Sequence, residues 1–511
     1  MLYRCDDARR LEKRDGCIEI RARDPSPALG FALDLINEIL TRDYGVKIGG
    51  TVIIDPLGTS GDAVYYGGRK FGVIHYNPLR ISLTPRGARV ITRKRERPKG
   101  YVIVKRSAEG YIRRGYNVMA GGVKEAFPSL SWVIVLNEDL EPIAVGKRRG
   151  DRVAVMTRGV VEPMGPIPPE RSWEYIVEVN TESLERKGKT ARERIVKGVS
   201  GRPYVLYSGG KDSEVTLYLS QEVGAKPIYI DTRLDLPEAR EHALKVVERY
   251  DGIIVSTKDE LSFRSALRQL GMPGMDFRRC TQLLKISPVR GLIGKNDTLI
   301  VGLRAAESSS RRREPVFGRN RSLGVRQVNP IIDRTSLDVF LYARYEGIEL
   351  NPLYYKGMRR LGCRLCPASK EYDLLFLERN YPSYYRRLRE LVDEYAQGLR
   401  PDKRRRYFKS GRGPVDPHVR REGDKIITKY GLLPPRCEDA GSCLDRAIML
   451  NACVSCGACE RVCEKNAIVV SDRVYVNRDE CDRCNSCVKA CPMVRAYRKI
   501  LKRRRKRLRF L

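Results

Sequence analysis

The sequence predicts an α/β protein with a parallel-sheet core and smaller domains on both sides of it. Between residues 200 and 400, short apolar runs such as 204–207 and 228–230 alternate with helical patterns. This alternation is typical of a parallel sheet covered by helices on both faces. Near the end of the chain, cysteines recur at short regular intervals. At 511 residues the chain is too long for one core, so several domains are expected.

Composition favours a soluble, cytoplasmic protein with a polyanionic partner. No apolar run approaches the length of a membrane span and no N-terminal stretch resembles a signal peptide, so we expect no membrane contact. The 98 Lys and Arg against 63 Asp and Glu give a net charge of +35. Such a one-sided excess favours nucleic acid, through phosphate contacts and counterion release. The alternative is a heat-adapted protein rich in surface charge, which the many arginines and three histidines also fit.

The first 165 residues predict two small units. Residues 1–99 combine helical spacing over 28–40 with strand-like runs at 52–54 and 71–76, an α+β region of unassigned role. Residues 100–165 consist of short strand patterns separated by glycine turns. The glycine and apolar positions of 115–123 and 142–147 resemble a PUA domain, a small β-barrel that binds RNA. The alternative is a barrel that only spaces domains; in either case a basic face is supplied by Arg113, Arg114, Lys147, Arg148 and Arg149.

The stretch SGGKDS at residues 208–213 lies between a predicted strand at 204–207 and a helical pattern that includes Val215. The loop therefore lies at a helix N-terminus, where free N–H groups and the helix dipole attract phosphate. Its glycines allow the backbone to approach an anion closely, and Lys211 and Ser213 add donors. The predicted phosphate-binding residues are Ser208, Gly209, Gly210, Lys211, Asp212 and Ser213.

This loop resembles the PP-loop of the ATP-pyrophosphatase superfamily, and later stretches narrow the resemblance to the phosphoadenosine phosphosulfate (PAPS) reductase family. The stretches YIDTRLDLPEAREHA, RRCTQLLKISPV and GLRAAESSSRR match motifs of that family, as does the segment that ends in LGCRLCP. Arg233 stands where the family usually has glycine. The resemblance covers residues 190–400 and implies that ATP or an adenylyl sulfate binds with Mg²⁺. It adds these nucleotide-binding candidates: Asp231, Thr232, Lys285, Arg304, Glu307 and Arg311.

Charge and residue type suggest a role for each candidate, and a structural alternative for most. Arg304 and Arg311 can neutralise phosphate, sulfate or carboxylate oxygens, and Lys285 can act as a point charge. Surface ion pairing is the alternative for both arginines. Asp212 and Asp231 have the oxygens to hold a magnesium–nucleotide complex or to orient donors. A helix N-cap is the alternative for Asp231.

Eight cysteines within residues 445–500 form two C-x-x-C-x-x-C-x-x-x-C runs. This is the bacterial-ferredoxin spacing, in which the fourth cysteine of each run ligates the other cluster. It predicts a ferredoxin-like domain with two [4Fe-4S] clusters and a reductant or electron-transfer partner. Cluster one takes Cys453, Cys456, Cys459 and Cys491, and cluster two takes Cys481, Cys484, Cys487 and Cys463. Residues 401–444 are polar and predict a linker, and residues 501–511 form a basic tail.

Cys280, Cys363 and Cys366 lie in stretches that match the PAPS reductase family. Because some members place an iron–sulfur cluster near the nucleotide, the resemblance implies a third cluster with an open iron. Alternatively, Cys437 or Cys443 closes a zinc site, the pair is a redox dithiol, or the cysteines are structural. With Lys211 and Asp212, these three cysteines are the candidate catalytic residues.

Three functions compete. The favoured one is ATP-dependent, iron–sulfur-linked sulfur transfer to RNA, specifically tRNA, because an intact SGGKDS loop suits cleavage of ATP between the α and β phosphates. The second is reduction of a phosphoadenylyl or adenylyl sulfate to sulfite, but the Glu-Cys-Gly-x-His type of segment that serves catalysis in those reductases is nowhere in this sequence. The third is a ferredoxin-linked nucleotide sensor without turnover.

Overall fold

The protein is described by a computed structural model. The described residues are 22–58, 61–127, 132–150, 152–156, 170–256, 281–289, 291–320, 322–363, 366, 369–395, 419–422, 425–428, 431–432, 457–470, 474–477, 479–482, 484–495 and 498. Cys280, Cys437, Cys443, Cys453, Cys456 and the basic tail lie outside them. Within these ranges, no helix is both long and apolar enough to cross a membrane.

The N-terminal region is an antiparallel five-stranded sheet with two helices. Its elements are β1 (Ser26–Pro27), α1 (Phe31–Tyr44), β2 (Val52–Pro56), β3 (Gly61–Tyr66), β4 (Arg69–Tyr76), β5 (Leu79–Leu83) and α2 (Pro85–Lys94). The strands pair in chain order. The helix predicted over 28–40 and both strand-like runs are thereby confirmed as α1, β2 and β4. Gly45 ends α1 in the left-handed conformation at φ 72° and donates its N–H to the last turn, a common C-terminal cap.

A second five-stranded sheet follows, where the small barrel was predicted. Its elements are β6 (Tyr101–Val104), α3 (Arg106–Arg113), β7 (Val123–Ala126), β8 (Trp132–Leu136), β9 (Pro142–Arg149) and β10 (Arg152–Val155). The strand order is β10-β9-β8-β6-β7, with β6 parallel to β8. An isolated bridge joins Val118 to Val153, so the sheet curls toward closure, although no pairing of β7 with β10 is described.

The central domain is the predicted α/β unit. Its elements are α4 (Trp173–Glu178), α5 (Thr181–Gly198), β11 (Pro203–Tyr207), α6 (Lys211–Leu219), β12 (Lys226–Asp231), α7 (Pro237–Arg249), β13 (Ile253–Ser256), β14 (Thr298–Ile300), β15 (Phe317–Arg319), β16 (Arg326–Val328) and α8 (Ser336–Tyr345). The strand order is β13-β12-β11-β14-β16-β15, and every pairing is parallel except that of the edge strand β15. The predicted strands are confirmed, and Pro237 lies at the first turn of α7, where proline is favoured.

Shorter elements complete the chain. They are α9 (Glu371–Asn380), α10 (Pro382–Tyr395), β17 (Val419–Glu422), β18 (Lys425–Thr428), β19 (Gly431–Leu432), α11 (Ala458–Arg461), β20 (Ile468–Val470), β21 (Val474–Val476) and α12 (Ser486–Ala490). Strands β17–β19 form an antiparallel sheet inside the segment predicted as a linker, which therefore carries regular structure. Arg461 of α11 donates a hydrogen bond to the carbonyl of Leu323, so the C-terminal unit contacts the β15–β16 hairpin.

The N-terminal sheet joins two hydrophobic cores. Ile53 and Tyr65 pack with the helices of the central domain, whereas their neighbours Ile54 and Tyr66 pack with α1 and the second sheet. Successive strand residues point to opposite faces, which is why one strand serves both cores. Because each fully buried large side chain contributes about 1.5–3 kcal/mol, the N-terminal region and the central domain stabilise each other.

Candidate active site at the PP-loop

The SGGKDS loop joins β11 to α6, as the sequence predicted. Gly209 adopts φ 72°, a left-handed conformation that favours glycine. The Oγ of Ser213 donates to the carbonyl of Gly210 at 2.8 Å and accepts the N–H of Ser208 at 3.2 Å. These bonds fold the loop back over the first turn of α6. The helix N-terminus thus lies at the carboxyl end of the central sheet, where anions are bound in open α/β sheets.

Lys211, Asp212 and Arg304 form a chain of buried charges at this loop. The Nζ of Lys211 lies 3.0 Å from both oxygens of Asp212. The Nε of Arg304 lies 2.8 Å from Asp212 Oδ1, an ion pair in which the N–H is not aligned for a hydrogen bond. Lys211 is 7% exposed and Arg304 only 3%. Surface ion pairing, the alternative considered for Arg304, is therefore wrong for this residue.

The local charges keep the Asp212 carboxylate ionised. Burial opposes ionisation, but the charges of Arg304 and Lys211 outweigh it and lower the pKa of Asp212. Burial lowers the pKa of Lys211, and the carboxylate of Asp212 offsets part of that effect. Because Lys211 is paired with its neighbour, a phosphate that binds Lys211 must draw the ammonium away from Asp212.

Two functional residues at this site were not found from the sequence. Asp24 accepts hydrogen bonds from Arg304 Nη1 at 2.6 Å and Nη2 at 3.3 Å, and from the N–H of Ser336 at 2.7 Å. Tyr354 accepts the N–H of Lys211 at 3.0 Å through its hydroxyl. Asp24 belongs to the N-terminal region and Tyr354 to a short helical turn after α8, so both reach the loop only through tertiary structure.

Asp231 ends β12 and is held by an arginine. Its side chain accepts from Arg240 Nη2 at 2.7 Å and from the N–H of Arg233 at 3.1 Å. The N-cap of α7 is Leu236, so the helix-cap interpretation of Asp231 is wrong. Arg233, which stands where the family has glycine, adopts φ 54°. The turn therefore keeps the left-handed conformation that glycine would favour.

The other residues predicted to bind the nucleotide lie in different structural environments. Thr232 accepts the N–H of Leu234 at 3.3 Å through its hydroxyl, and so closes the turn after β12. Glu307 pairs with Arg311, whose side chain is 39% exposed. For Arg311, the surface ion-pair alternative therefore describes the structure. Lys285 is exposed on a helical turn at 282–286.

Cys363 and Cys366 form a half-buried thiol pair. The N–H of Cys366 donates to the carbonyl of Cys363 at 3.0 Å, and the two side chains share a hydrogen bond. This hydrogen bond and burial raise the pKa of Cys363 well above its usual range, against the opposing charge of Lys285. Both cysteines line a cavity of about 30 Å³ with Met358 and Leu377. As a free thiol, Cys363 is therefore protonated at neutral pH.

The two cysteine runs have a shared backbone feature. Gly457 and Asn485, each placed directly after the second cysteine of its run, adopt φ 67° and 60° and open α11 and α12. Cys459 and Cys491, both predicted for cluster one, are buried. Burial raises the pKa of Cys487, and three other thiols add to the effect. Those three belong to Cys481, Cys484 and Cys463, the remaining residues predicted for cluster two.

No three His, Cys, Asp or Glu side chains of the described residues converge as ligands of a single metal ion. A cubane spreads its four thiolates over separate irons. Four cysteines can therefore suit a cluster without converging on one point, and the mutual proximity around Cys487 fits that arrangement.

The second sheet carries cations and exposed aromatic side chains around the C-terminal end of α3. Arg113 pairs with Glu109 at 2.6 Å, so one residue of the predicted basic face is neutralised. Arg114 lies 5.7 Å from the ring centre of Tyr111, and Tyr111 and Tyr116 are each more than half exposed. Aromatic rings next to arginine side chains are a common feature of protein surfaces that bind nucleic acid.

Comparison with known proteins identifies the central domain. Residues 202–369 match the phosphoadenosine phosphosulfate reductase domain family. Residues 202–369 are a PAPS reductase domain. The family lies within the PP-loop superfamily of enzymes, so the resemblance predicted from SGGKDS and the later motifs is confirmed for this part of the chain.

Relatives match different shares of the chain. An uncharacterized protein of Methanocaldococcus jannaschii is 27% identical over 426 residues, which are 74% of this chain and 88% of the relative. The adenosine 5'-phosphosulfate reductase of Anoxybacillus flavithermus is 29% identical over 155 residues, 29% of this chain and 66% of that enzyme. A conserved PUA domain protein of Thermoplasma acidophilum is similar in structure over 28% of this chain and 97% of its own, at 20% identity and a TM-score of 0.22. The PUA-like and ferredoxin-like assignments stay predictions.

Proposed function

We propose that the protein uses ATP at its PP-loop to activate a base of tRNA for sulfur transfer. The observation that carries this proposal is the SGGKDS loop itself, which is intact and lies on the N-terminus of α6. Amide donors at a helix N-terminus suit the β and γ phosphates that leave as pyrophosphate. The net charge of +35 and the exposed rings beside Arg114 support an RNA substrate.

The chemistry divides into two displacements. A carbonyl oxygen of the base attacks the α-phosphorus of ATP, and the bond to the β-phosphate oxygen breaks, so that pyrophosphate leaves. The base now carries AMP as its leaving group. A sulfur atom carried as a persulfide on one cysteine attacks the activated carbon, and AMP departs with the oxygen. The residues that carry charge in these steps are Lys211 and Arg304, which lie at the loop.

The thiol pair suits the second displacement. If Cys363 or Cys366 carries the persulfide, its attack leaves the base joined to that cysteine through two sulfur atoms. The other thiol then attacks the sulfur of the cysteine and releases the thiolated base. A disulfide between the two cysteines results, and two electrons from an external reductant restore both thiols. The hydrogen bond that joins the side chains places them within reach of each other. The thiols therefore have a role that does not depend on whether Cys280 completes a metal site.

We propose that electrons from the reductant enter the protein through its C-terminal unit. Cys463, Cys481, Cys484 and Cys487 would hold one [4Fe-4S] cluster, and Cys459 and Cys491 would hold the second together with Cys453 and Cys456. Such clusters supply one-electron transfer at low potential. The reconstituted chain should bind about eight irons, and Cys481→Ser should remove about four of them. Ser486→Ala, a neighbour without a thiol, is the matched control; equal iron in both variants contradicts the assignment.

A second candidate is sulfonucleotide reduction, in which an adenylyl sulfate yields sulfite. The alignment with enzymes named adenosine 5'-phosphosulfate reductase favours it. The test incubates the anaerobic protein with ATP, unfractionated tRNA and a persulfide donor, and separately with adenylyl sulfate and a reductant. Sulfur transfer predicts tRNA-dependent pyrophosphate and thiolated nucleosides, both lost in Lys211→Ala. Sulfite without tRNA-dependent pyrophosphate contradicts it and favours reduction, whereas nucleotide binding without either product favours a sensor.

A further inference from the structure

A basic cavity lies at the amino end of the central sheet, opposite the PP-loop. Its volume is about 510 Å³. Four cationic side chains line it: Lys197, Lys295, Arg319 and Arg326. They come from the end of α5, the turn before β14, and the paired strands β15 and β16. No carboxylate is among the described residues that line it. They present a single sign of charge, which focuses the field on an anion.

Among the described residues, no acid neutralises these cations. Within the described part of the chain, none of the four lies within ion-pair distance of a carboxylate. The carboxylate of Asp297, which precedes β14, is engaged by Arg202 at 3.1 Å and by the N–H of Gly294 at 2.7 Å. Arg319 and Arg326 are direct cross-strand neighbours, an arrangement of like charges that destabilises a sheet. An anionic ligand removes that cost.

An aromatic side chain forms part of the same wall. Phe317 is 43% exposed, although most large apolar side chains of this domain are buried. Its ring lies against Gly198, where an added Cβ would come within 2.8 Å of the ring and 2.5 Å of Val328. Glycine at 198 therefore allows the ring to lie at the rim of the cavity. An exposed ring beside cations is the pattern with which proteins hold single-stranded nucleic acid.

We propose that this cavity binds single-stranded RNA, with phosphates on the four cations and a base on Phe317. The proposal deepens the function proposed above and takes from it only the identity of the polyanion. The strands between the cavity and the PP-loop have up to six residues, or about 20 Å at 3.3 Å each. One nucleotide cannot occupy both places, so the RNA must extend around the domain from the cavity to the PP-loop.

The test measures fluorescence anisotropy of a labelled oligouridylate of about twelve nucleotides, titrated with the full-length protein at several salt concentrations. Arg319→Gln/Arg326→Gln should raise the Kd at least about tenfold and reduce the salt slope by about 1.4, since each lost phosphate contact removes about 0.7. Phe317→Leu should raise the Kd about tenfold with the salt slope unchanged. The matched control is Lys245→Gln/Arg249→Gln, which removes two exposed cations from α7 and should bind like wild type.

The outcomes separate the proposal from its alternatives. Equal affinity of the cavity variants and the control overturns it, and so does full competition by polyglutamate together with an unaffected Phe317→Leu. Thermal unfolding of each variant checks the fold, and the exposed positions of Arg319, Arg326 and Phe317 favour its retention. Lys211→Ala should keep oligouridylate affinity. If tRNA-dependent pyrophosphate release fails while the cavity variants lose RNA, the function proposed above is wrong and the RNA cavity stands.

Discussion

The two ends of the central sheet use arginine in opposite ways. At the carboxyl end, Arg304 is buried against Asp212 and Asp24, and Arg240 holds Asp231. At the amino end, Arg319 and Arg326 are exposed, adjacent to each other, and unmatched by a carboxylate among the described residues. The first arrangement fixes side chains in place and the second leaves charge available.

This difference suits the two tasks that the proposed function requires of one strongly basic chain. A buried cation is expensive unless a paired carboxylate compensates it, so the carboxyl end has well-defined geometry and little free charge. That geometry suits a reaction. An exposed cation is inexpensive and keeps its attraction for phosphate, so the amino end suits binding. Net charge alone does not distinguish these two uses.

The largest expected effect contrasts Arg304→Ala with Arg319→Ala. Removal of Arg304 leaves Asp24 and Asp212 without their shared cation and should cost about 3–5 kcal/mol of unfolding free energy. Arg319→Ala should change it by less than about 0.5 kcal/mol, because the side chain is exposed and unpaired. Urea unfolding followed by Trp173 fluorescence in a Trp132→Phe background measures both, since Trp173 packs on Phe340 of the central domain. Similar losses of unfolding free energy in the two variants would contradict the difference between the two ends of the sheet.

The sequence predicted the loop but only part of the network around it. Apolar runs bounded by turns identified the strands, and SGGKDS identified the helix N-terminus, because both signals are local. Asp24 lies 280 residues from Arg304, and Tyr354 lies 143 residues from Lys211. No spacing rule connects such pairs. The first contact depends on how the N-terminal region packs on the central domain, and the second depends on where the turn after α8 lies against the loop. The proximity of Arg319 and Arg326 was also not predicted, because it depends on the register in which β15 pairs with β16.

Acid should weaken the carboxyl end of the sheet through Asp231. Burial opposes ionisation of Asp231, but Arg240 and the N–H of Arg233 lower its pKa below the ordinary value near 3.9. The folded state then holds the proton less tightly than the unfolded state. The contribution of the ionised Asp231 to stability is complete when the pH is above that ordinary value. It is lost as the pH falls through the pKa that Asp231 has in the folded state.

Unfolding free energy measured between pH 7 and pH 3 tests this difference. Wild type should lose more stability on acidification than Arg240→Met, in which the pKa of Asp231 is no longer lowered by the guanidinium. Lys197→Met at the amino end is the control and should follow wild type. If Arg240→Met and wild type lost stability equally on acidification, Asp231 would not be the source of the acid dependence.

The smallest expected effect concerns the turn after β12. Arg233 adopts φ 54°, which costs an L-residue about 1–2 kcal/mol. Arg233→Gly relieves that strain, and Arg233→Ala removes the same guanidinium but keeps the Cβ. We expect the glycine variant to be more stable than the alanine variant by about 1 kcal/mol in urea unfolding. An alanine variant as stable as the glycine variant would show that the turn carries no strain.

The most direct test measures pyrophosphate release from ATP while the tRNA concentration is varied. The proteins compared are wild type, Lys211→Ala and Arg319→Gln/Arg326→Gln. We expect no turnover by Lys211→Ala at any tRNA concentration, because the proposed reaction takes place at the carboxyl end. We expect the double variant to raise the KM for tRNA about tenfold and to leave kcat unchanged, because the proposed role of the amino end is binding alone. A double variant with lowered kcat and normal KM, or turnover by Lys211→Ala, would contradict the division between the two ends of the sheet.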